Sequence, residues 1–271
     1  MNSSDIHVLA SEASVTSLRV KPAPQASAIP TQFSYAPSDD GTDENLLILL
    51  HGLGGTNVPF ARLGRSLKLP QTATLALRAP DLVPFLYEQA FQWYPSFDQL
   101  GDLIERPDPS PALNLLKHIF GHLMGECGWP PHRIHLFGFA QGGSVAAEAC
   151  LQWWRRELEL SSQSRMTNKE TPVRPFGSLV TISGPLLSYP TLSKPCETPV
   201  LVFRRPRELK DEALVAFRKG FSRVKDVERA GEGMPRASSR EEWQPILEFW
   251  SEVLGWRPGD GLYEVTTGTS N

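Results

Sequence analysis

The sequence predicts an α/β fold with a mostly parallel central sheet and helices on both faces. Short apolar runs bounded by Gly or Pro alternate along the chain with helical stretches. Most of these runs are apolar at consecutive positions, as in strands that are covered on both faces. Strands that alternate with helices pair as parallel neighbours through right-handed crossovers.

Each element follows from this pattern in chain order. The predicted strands are the apolar runs 46–50, 73–77, 133–139, 178–183 and 199–203. The predicted helices are the stretches 58–68, 110–127, 143–160, 211–222 and 240–254. Together they predict one domain of this α/β type, because 271 residues with 40% hydrophobic content suffice for one core.

The predicted domain spans residues 31–256. Residues 1–30 are rich in Ser, Ala and Pro and predict a flexible arm, while 257–271 predict a flexible tail. The polar segment 161–175 predicts an exposed loop inserted before the next strand.

Composition excludes several classes of partner and site. The net charge of −3 gives no reason to expect nucleic acid or an anionic membrane surface. Three cysteines without CxxC spacing predict buried thiols in a reducing compartment, with no disulfide framework, metal site or cofactor. Neither a secretion signal nor an apolar stretch of about 18 residues is found, so we expect an intracellular protein, cytoplasmic or nuclear, without a transmembrane segment.

A first glycine-rich turn follows the predicted strand 46–50, in the stretch Leu50 to Gly55. Such glycines allow a sharp turn that leaves a backbone N–H facing a developing oxyanion. A generic turn or a phosphate loop is the alternative, but Asn57 stands where a GxGxxG pattern needs its last glycine. The turn predicts a pocket lined by His51, Gly52, Leu53 and Gly54.

The second turn joins the predicted strand 133–139 to a helix and reads Gly-Phe-Ala-Gln-Gly over 138–142. In a nucleophile elbow, glycines flank a strained central residue whose side chain is raised to the top of the sheet. Here the central residue is Ala140, which has no oxygen or sulfur to present. We expect the N–H of Gln141, the next residue, still to complete an oxyanion hole.

These two turns resemble motifs of the phospholipase/carboxylesterase family, which contains the acyl-protein thioesterases and has the α/β-hydrolase fold. Residues 50–55 are similar to its LHGLGD-like motif and residues 138–143 to its GFSQGG motif. The stretch 92–98 resembles its Trp-Phe-Asp region, and 230–234 its Gly-x-Gly-His turn. The resemblance covers about residues 31 to 255 and implies a hydrolase of carboxylic esters or thioesters.

The resemblance also places the three catalytic positions of the family. Ala140 stands at its serine, Glu208 at its acid and Met234 at its histidine. The family order is serine, acid, histidine, yet all six histidines precede the elbow, at positions 7, 51, 118, 122, 132 and 135. The resemblance therefore implies a triad without nucleophile or base, and no intact catalytic residue.

Other groups do not replace the missing pair. Ser144, Ser183 and Cys150 are candidate nucleophiles, but none stands at the central position of the turn. An engineered change of serine to alanine would explain Ala140 but not Met234, which favours natural degeneration. The i,i+4 pair His118 and His122 suits a metal site or a solvated helix face, and the second is favoured.

The sequence therefore predicts a catalytically inactive α/β-hydrolase-like protein that acts as a protein-interaction or ligand-binding subunit. A basic patch at Arg204, Arg205 and Arg207 predicts a protein partner, although a solvated face gives the same pattern. An acyl or lipid ligand is a second possibility, motivated by an apolar group at Phe85, Leu86 and Phe91. A carboxylesterase or thioesterase with residual or altered activity is the alternative.

Overall fold

The computed structural model describes residues 20–84, 89–166 and 172–257. Its main sheet has seven strands, and a separate two-stranded ribbon pairs β4 with β5. The strands are β1 (Phe33–Ala36), β2 (Asn45–Leu50), β3 (Thr72–Leu77), β4 (Asp81–Leu82), β5 (Phe91–Gln92), β6 (Ile134–Phe139), β7 (Ser178–Ile182), β8 (Val200–Arg204) and β9 (Val224–Glu228). The helices are α1 (Asn57–Ser66), α2 (Ser110–Gly125), α3 (Gln141–Met166), α4 (Asp211–Gly220) and α5 (Arg240–Val253).

The strand order in the main sheet is β1-β3-β2-β6-β7-β8-β9. Strand β1 runs antiparallel to β3, whereas the other neighbours are parallel. Strands β2 and β6 lie side by side at the centre of the sheet, with Leu50 opposite Gly138. The two glycine-rich turns that follow these strands therefore leave the sheet at the same edge.

Apolar clusters cover both faces of the sheet. Along β2, Leu46, Ile48 and Leu50 pack into a core with residues of α2, α3 and α4, while Leu47 and Leu49 pack with residues of α1 and α5. All five side chains are fully buried. Because successive strand residues face opposite sides, this alternation explains why the strand is apolar at every position. The prediction of an α/β-hydrolase fold with a mostly parallel sheet is confirmed.

Residues 20–30 differ from the predicted flexible arm. The Lys21 side chain donates to the Gly128 carbonyl at 2.8 Å, the Gln25 N–H donates to His122 Nε2 at 3.1 Å, and Ile29 is only 2% exposed. This segment also buries His122, so the prediction of a solvated face for that residue is wrong. The preceding residues 1–19 lie outside the described part of the chain.

The predicted loop 161–175 is also wrong in its first part, because α3 continues to Met166. The polar residues Ser161 to Gln163 are compatible with a helix when the turn before them is already formed. Residues 172–175 have no regular structure, and 167–171 lie outside the described residues, as does most of the predicted tail, 258–271. Across the part that the structure describes, no helix is long and apolar enough to cross a membrane.

Candidate functional site

The turn between β6 and α3 has the backbone of a nucleophile elbow. Ala140 joins the strand to the helix with a left-handed φ of 47°, and its N–H donates to the Ile182 carbonyl at 2.8 Å. Added Cβ atoms would clash with backbone, on Gly138 with the Gly142 carbonyl and on Gly142 with the Leu50 carbonyl. The turn therefore fits only with glycine at both flanks, and the half-buried Ala140 presents a methyl group at its centre.

The other candidate nucleophiles are buried away from this turn. Ser144 and Cys150 are fully buried in α3, and Ser183 is 7% exposed after β7. Burial raises the pKa of the Cys150 thiol well above its ordinary value, which keeps the thiol protonated. None of the three presents a reactive atom where the elbow would place one.

His51 supports the first glycine turn from inside. Its ring Nε2 accepts the Ala79 N–H at 2.9 Å, so Nδ1 carries the proton and donates to the Gly52 carbonyl at 2.7 Å. Burial lowers the pKa of His51, and the nearby Arg78 guanidinium acts in the same direction. The imidazole is neutral, with both nitrogens engaged, so it orders the turn and is not free to act as a base.

Gln141 ties the segment after β5 to the elbow. Its side-chain oxygen accepts the Trp93 N–H at 3.0 Å, and its amide nitrogen donates to the Tyr94 carbonyl at 3.0 Å and to Ser96 Oγ at 2.7 Å. The indole N–H of Trp93 in turn donates to the His51 carbonyl at 2.7 Å. Both turns thus share one hydrogen-bonded frame, in which Leu53 is 41% exposed and Gly54 donates to the Phe91 carbonyl.

A third turn, residues 230–234, meets the elbow through Phe139. A Cβ on Gly52 would lie 2.8 Å from the Phe139 ring, and one on Gly233 would lie 3.9 Å from Cζ of the same ring. Met234 packs with Phe139 against the apolar cluster beneath α1 and α5. The structure therefore brings Ala140, Gly52 and Met234 to one edge of the sheet.

Glu208 contacts the same turn. Its carboxylate accepts the N–H of Gly233 at 2.6 Å, while the residue itself is exposed. The carboxylate is thus bonded to the backbone next to Met234.

Arg205 holds the 230–234 turn through hydrogen bonds to its backbone carbonyls, a role that was not predicted from the sequence. The guanidinium is 1% exposed and donates to the carbonyls of Gly233 at 3.1 Å and Ala230 at 2.6 Å. It also pairs with Glu242 of α5 at 2.6 Å, and Arg236 binds the second oxygen of that carboxylate at 2.8 Å. No local sequence signal marks Glu242 as the partner, because 37 residues separate it from Arg205.

The predicted basic patch does not form. Arg204 is 9% exposed and pairs with three carboxylates, those of Asp211, Asp226 and Glu228. Arg205 is internal, and only Arg207 is exposed, 3.6 Å from Glu232. Distant carboxylates neutralise the first two side chains, which a count of charges along the sequence does not reveal.

The described histidines other than His51 lie elsewhere. His132 and His135 stand before and near the start of β6, at the opposite end of that strand from Ala140. His135 is fully buried between Ser178 and Asn45, and burial lowers its pKa to about 3. His118 is exposed on α2. Among the residues that the structure describes, no group of three or more His, Cys, Asp or Glu could hold a metal ion.

The apolar residues proposed for an acyl groove divide into two groups. Phe91 is 5% exposed and belongs to the core, with the Arg78 guanidinium 4.1 Å from its ring centroid. It therefore does not line a groove. Phe85 and Leu86 lie outside the described residues.

Comparisons with known proteins indicate the family of this chain. Residues 36–158 match the family model described as phospholipase/carboxylesterase. An uncharacterized hydrolase of Mycosarcoma maydis is 37% identical over 241 residues, which cover 84% of this chain and 85% of the relative. A second uncharacterized hydrolase, from Schizosaccharomyces pombe, is 34% identical over 118 residues, covering 41% of this chain and 48% of its own.

Solved structures show the same fold. The structure of esterase PE8 is similar with a TM-score of 0.66 and 19% identity, covering 83% of this chain and 99% of that one. An acyl-protein thioesterase 2 of Zea mays has a TM-score of 0.60 and 19% identity, covering 83% of this chain and all of its own, at 100%. At these identities the likeness concerns the fold alone.

Proposed function

Because the chain belongs to the phospholipase/carboxylesterase family of α/β-hydrolases, we propose that it is a catalytically inactive member that works by binding, as a protein-interaction or ligand-binding subunit. The observation that carries the proposal is Ala140. The backbone of the elbow is folded with a left-handed φ of 47°, yet the side chain that it presents is a methyl group. A covalent acyl intermediate requires an oxygen or sulfur at this point.

The missing base supports the same proposal. Met234 stands where a serine hydrolase of this family has its histidine, and a thioether does not accept a proton at neutral pH. Glu208 has the charge of a triad acid, but it binds the Gly233 N–H. His51 is the described histidine at this edge, and both of its ring nitrogens are engaged.

The expected loss of catalytic rate is large enough to favour a binding role over slow turnover. Removal of the nucleophile and base of a triad enzyme lowers kcat on the order of a million-fold. About a thousand-fold over water survives from the oxyanion hole and binding alone. The N–H of Gln141, at the first position of α3, would supply that remnant, since no earlier helix residue accepts its hydrogen bond. The same N–H suits a carboxylate or carbonyl ligand that is held without being cleaved.

A carboxylesterase with altered chemistry is the second candidate, favoured by the hydrolase names of the two curated relatives. Hydrolysis of p-nitrophenyl butyrate by purified wild-type protein separates the two. We expect no saturable turnover and no labelling by a fluorophosphonate probe for active serine hydrolases.

The matched control is Ala140→Trp, which places a bulky side chain at the centre of the elbow and adds no nucleophile. If wild type and Ala140→Trp hydrolyse the ester at the same rate, that rate comes from a contaminant or from uncatalysed hydrolysis by water. Saturable cleavage that Ala140→Trp abolishes would overturn the proposal. Native mass spectrometry of the same preparation detects a retained acyl ligand directly, which would identify the ligand-binding form of the proposal.

A further inference from the structure

A groove of about 430 Å³ lies between α2 and α3, away from both glycine-rich turns. Its lining includes one aromatic residue from each helix and four charged residues. They are Lys117, Phe120, Trp153, Arg155, Arg156 and Glu159. None of these residues belongs to the elbow, to the turn over residues 50–55 or to the turn over residues 230–234. The groove is therefore separate from the candidate site.

The floor of this α2–α3 groove is aromatic and held in place by the protein. The rings of Phe120 and Trp153 both pack against Phe176, with centroid distances of 4.8 and 5.3 Å, and Phe120 is only 3% exposed. The indole N–H of Trp153 donates to the Arg174 carbonyl at 2.7 Å, and Arg174 pairs with the buried Glu157. A floor that is ordered before binding loses little conformational entropy when a ligand packs on it.

The rim of the groove is basic. Lys117, Arg155 and Arg156 are exposed, and within the described ranges none of them has a carboxylate within 4.0 Å. Two cations that contact α3 are paired, Arg174 with Glu157 and Lys194 with Glu197. Glu159 is the carboxylate that lines the groove. The groove therefore has an excess of positive charge in a chain whose net charge is −3.

We propose that the α2–α3 groove binds an acidic segment of a protein partner, with a large apolar side chain against the half-buried Trp153 and carboxylates at Lys117, Arg155 and Arg156. This proposal rests on the binding role proposed above and adds the chemistry of the partner. It would hold equally if the chain retained hydrolytic activity. Charge complementarity identifies the partner as acidic. The exposed rim favours a peptide segment over a small molecule, since small-molecule sites enclose most of their ligand.

The test measures fluorescence anisotropy of a fluorescein-labelled decapeptide, built of Glu and Asp around a central Trp, with the full-length chain. We expect saturable binding that weakens with added salt, because screening reduces attraction between exposed charges. Arg155→Glu together with Arg156→Glu should weaken it on the order of tenfold or more. The matched control is Arg62→Glu with Arg65→Glu, which makes the same charge change on exposed positions of α1 and should leave the affinity unchanged.

Three results would overturn the proposal. One is equal affinity in wild type and the Arg155/Arg156 variant, with unfolding midpoints showing that both are folded. Another is equal binding of a decapeptide with Lys in place of Glu and Asp. The third is absence of peptide binding while phosphatidylserine vesicles or single-stranded RNA bind and are lost in the same variant. The butyrate assay of the wild type is independent of all three, so failure of the inactive-enzyme proposal would be recognised separately.

Discussion

The Glu208 carboxylate accepts the Gly233 N–H at 2.6 Å, one residue before Met234. This carboxylate thus contacts the turn that carries Met234. Phe139, which directly precedes Ala140, joins this turn to the elbow, since a Cβ on Gly52 and one on Gly233 would both lie within 4 Å of its ring. The elbow backbone and a carboxylate beside residue 234 are thus both present, while positions 140 and 234 carry Ala and Met.

Restoring the nucleophile alone should not restore turnover. We expect Ala140→Ser to give no burst with p-nitrophenyl acetate, because His51, the described histidine at this edge of the sheet, has both ring nitrogens engaged and cannot take the hydroxyl proton. Ala140→Ser combined with Met234→His should exceed the single variant on the order of a hundredfold, the usual contribution of a general base. A burst in Ala140→Ser alone would reveal a base that the structure does not identify.

Replacing a glycine of the elbow should destabilise the fold. A Cβ on Gly142 would clash with the Leu50 carbonyl and lie 2.5 Å from the His51 carbonyl oxygen. We expect Gly142→Ala to lower the free energy of unfolding by about 1–3 kcal/mol in urea titrations, the range for overpacked positions.

Gly121→Ala on α2 is the control, because its added Cβ would meet no atom within 4 Å. It should stabilise the protein by about 0.5–1 kcal/mol, since alanine favours a helix interior over glycine. Equal effects at positions 121 and 142 would contradict the close crossing at the elbow.

Arg205 should contribute far more stability than Arg207. Arg205→Leu leaves Glu242 without its buried partner and frees three backbone carbonyls, so we expect a loss of about 3–5 kcal/mol in the free energy of unfolding. Arg207 is 85% exposed in its side chain, and Arg207→Leu should change stability by less than about 0.5 kcal/mol. Comparable losses in the two variants would show that Arg205 is not internal.

Glu242 should make stability depend on acid pH. The hydrogen bond from Arg205 lowers the pKa of Glu242 to about 2, and Arg236 acts in the same direction. Because the pKa is lower in the folded state, this carboxylate stabilises the fold above its unfolded pKa of about 4.3 and loses that effect as pH falls toward about 2.

The measurement compares urea unfolding of wild type and Glu242→Gln near pH 6 and near pH 3. The difference in unfolding free energy should be largest at the higher pH and should narrow at the lower one. Glu241→Gln, on the exposed side of the same helix turn, controls for the removal of one charge. A difference that stays constant over this range would contradict the shifted pKa.

The buried strands could be predicted because each has its own apolar signal, as Leu46 to Leu50 shows. The edge strands β1 and β9 have no such signal. The residues of β1 are half-buried, and β9 reads Val-Lys-Asp-Val-Glu with one buried residue. Edge strands owe their structure to pairing with a neighbour, which a local pattern does not contain.

The candidate site also has a part that could be predicted from the sequence and a part that could not. The elbow and the oxyanion turn were predictable because their glycines are needed for local backbone geometry. The role of Arg205 was not, because its partners come from the 230–234 turn and from α5. In the sequence, the positive charges of Arg204 and Arg205 suggest an exposed basic surface, because the carboxylates that pair with them lie elsewhere in the chain.

The left-handed backbone at Ala140 has a practical consequence. The close contacts belong to the flanking glycines, so the direction in which residue 140 projects is set by the main chain and not by its own side chain. The three native cysteines are buried. In an Ala140→Cys variant, the new thiol would therefore stand at the centre of the elbow, where an attached spin label or dye would report on molecules that bind there.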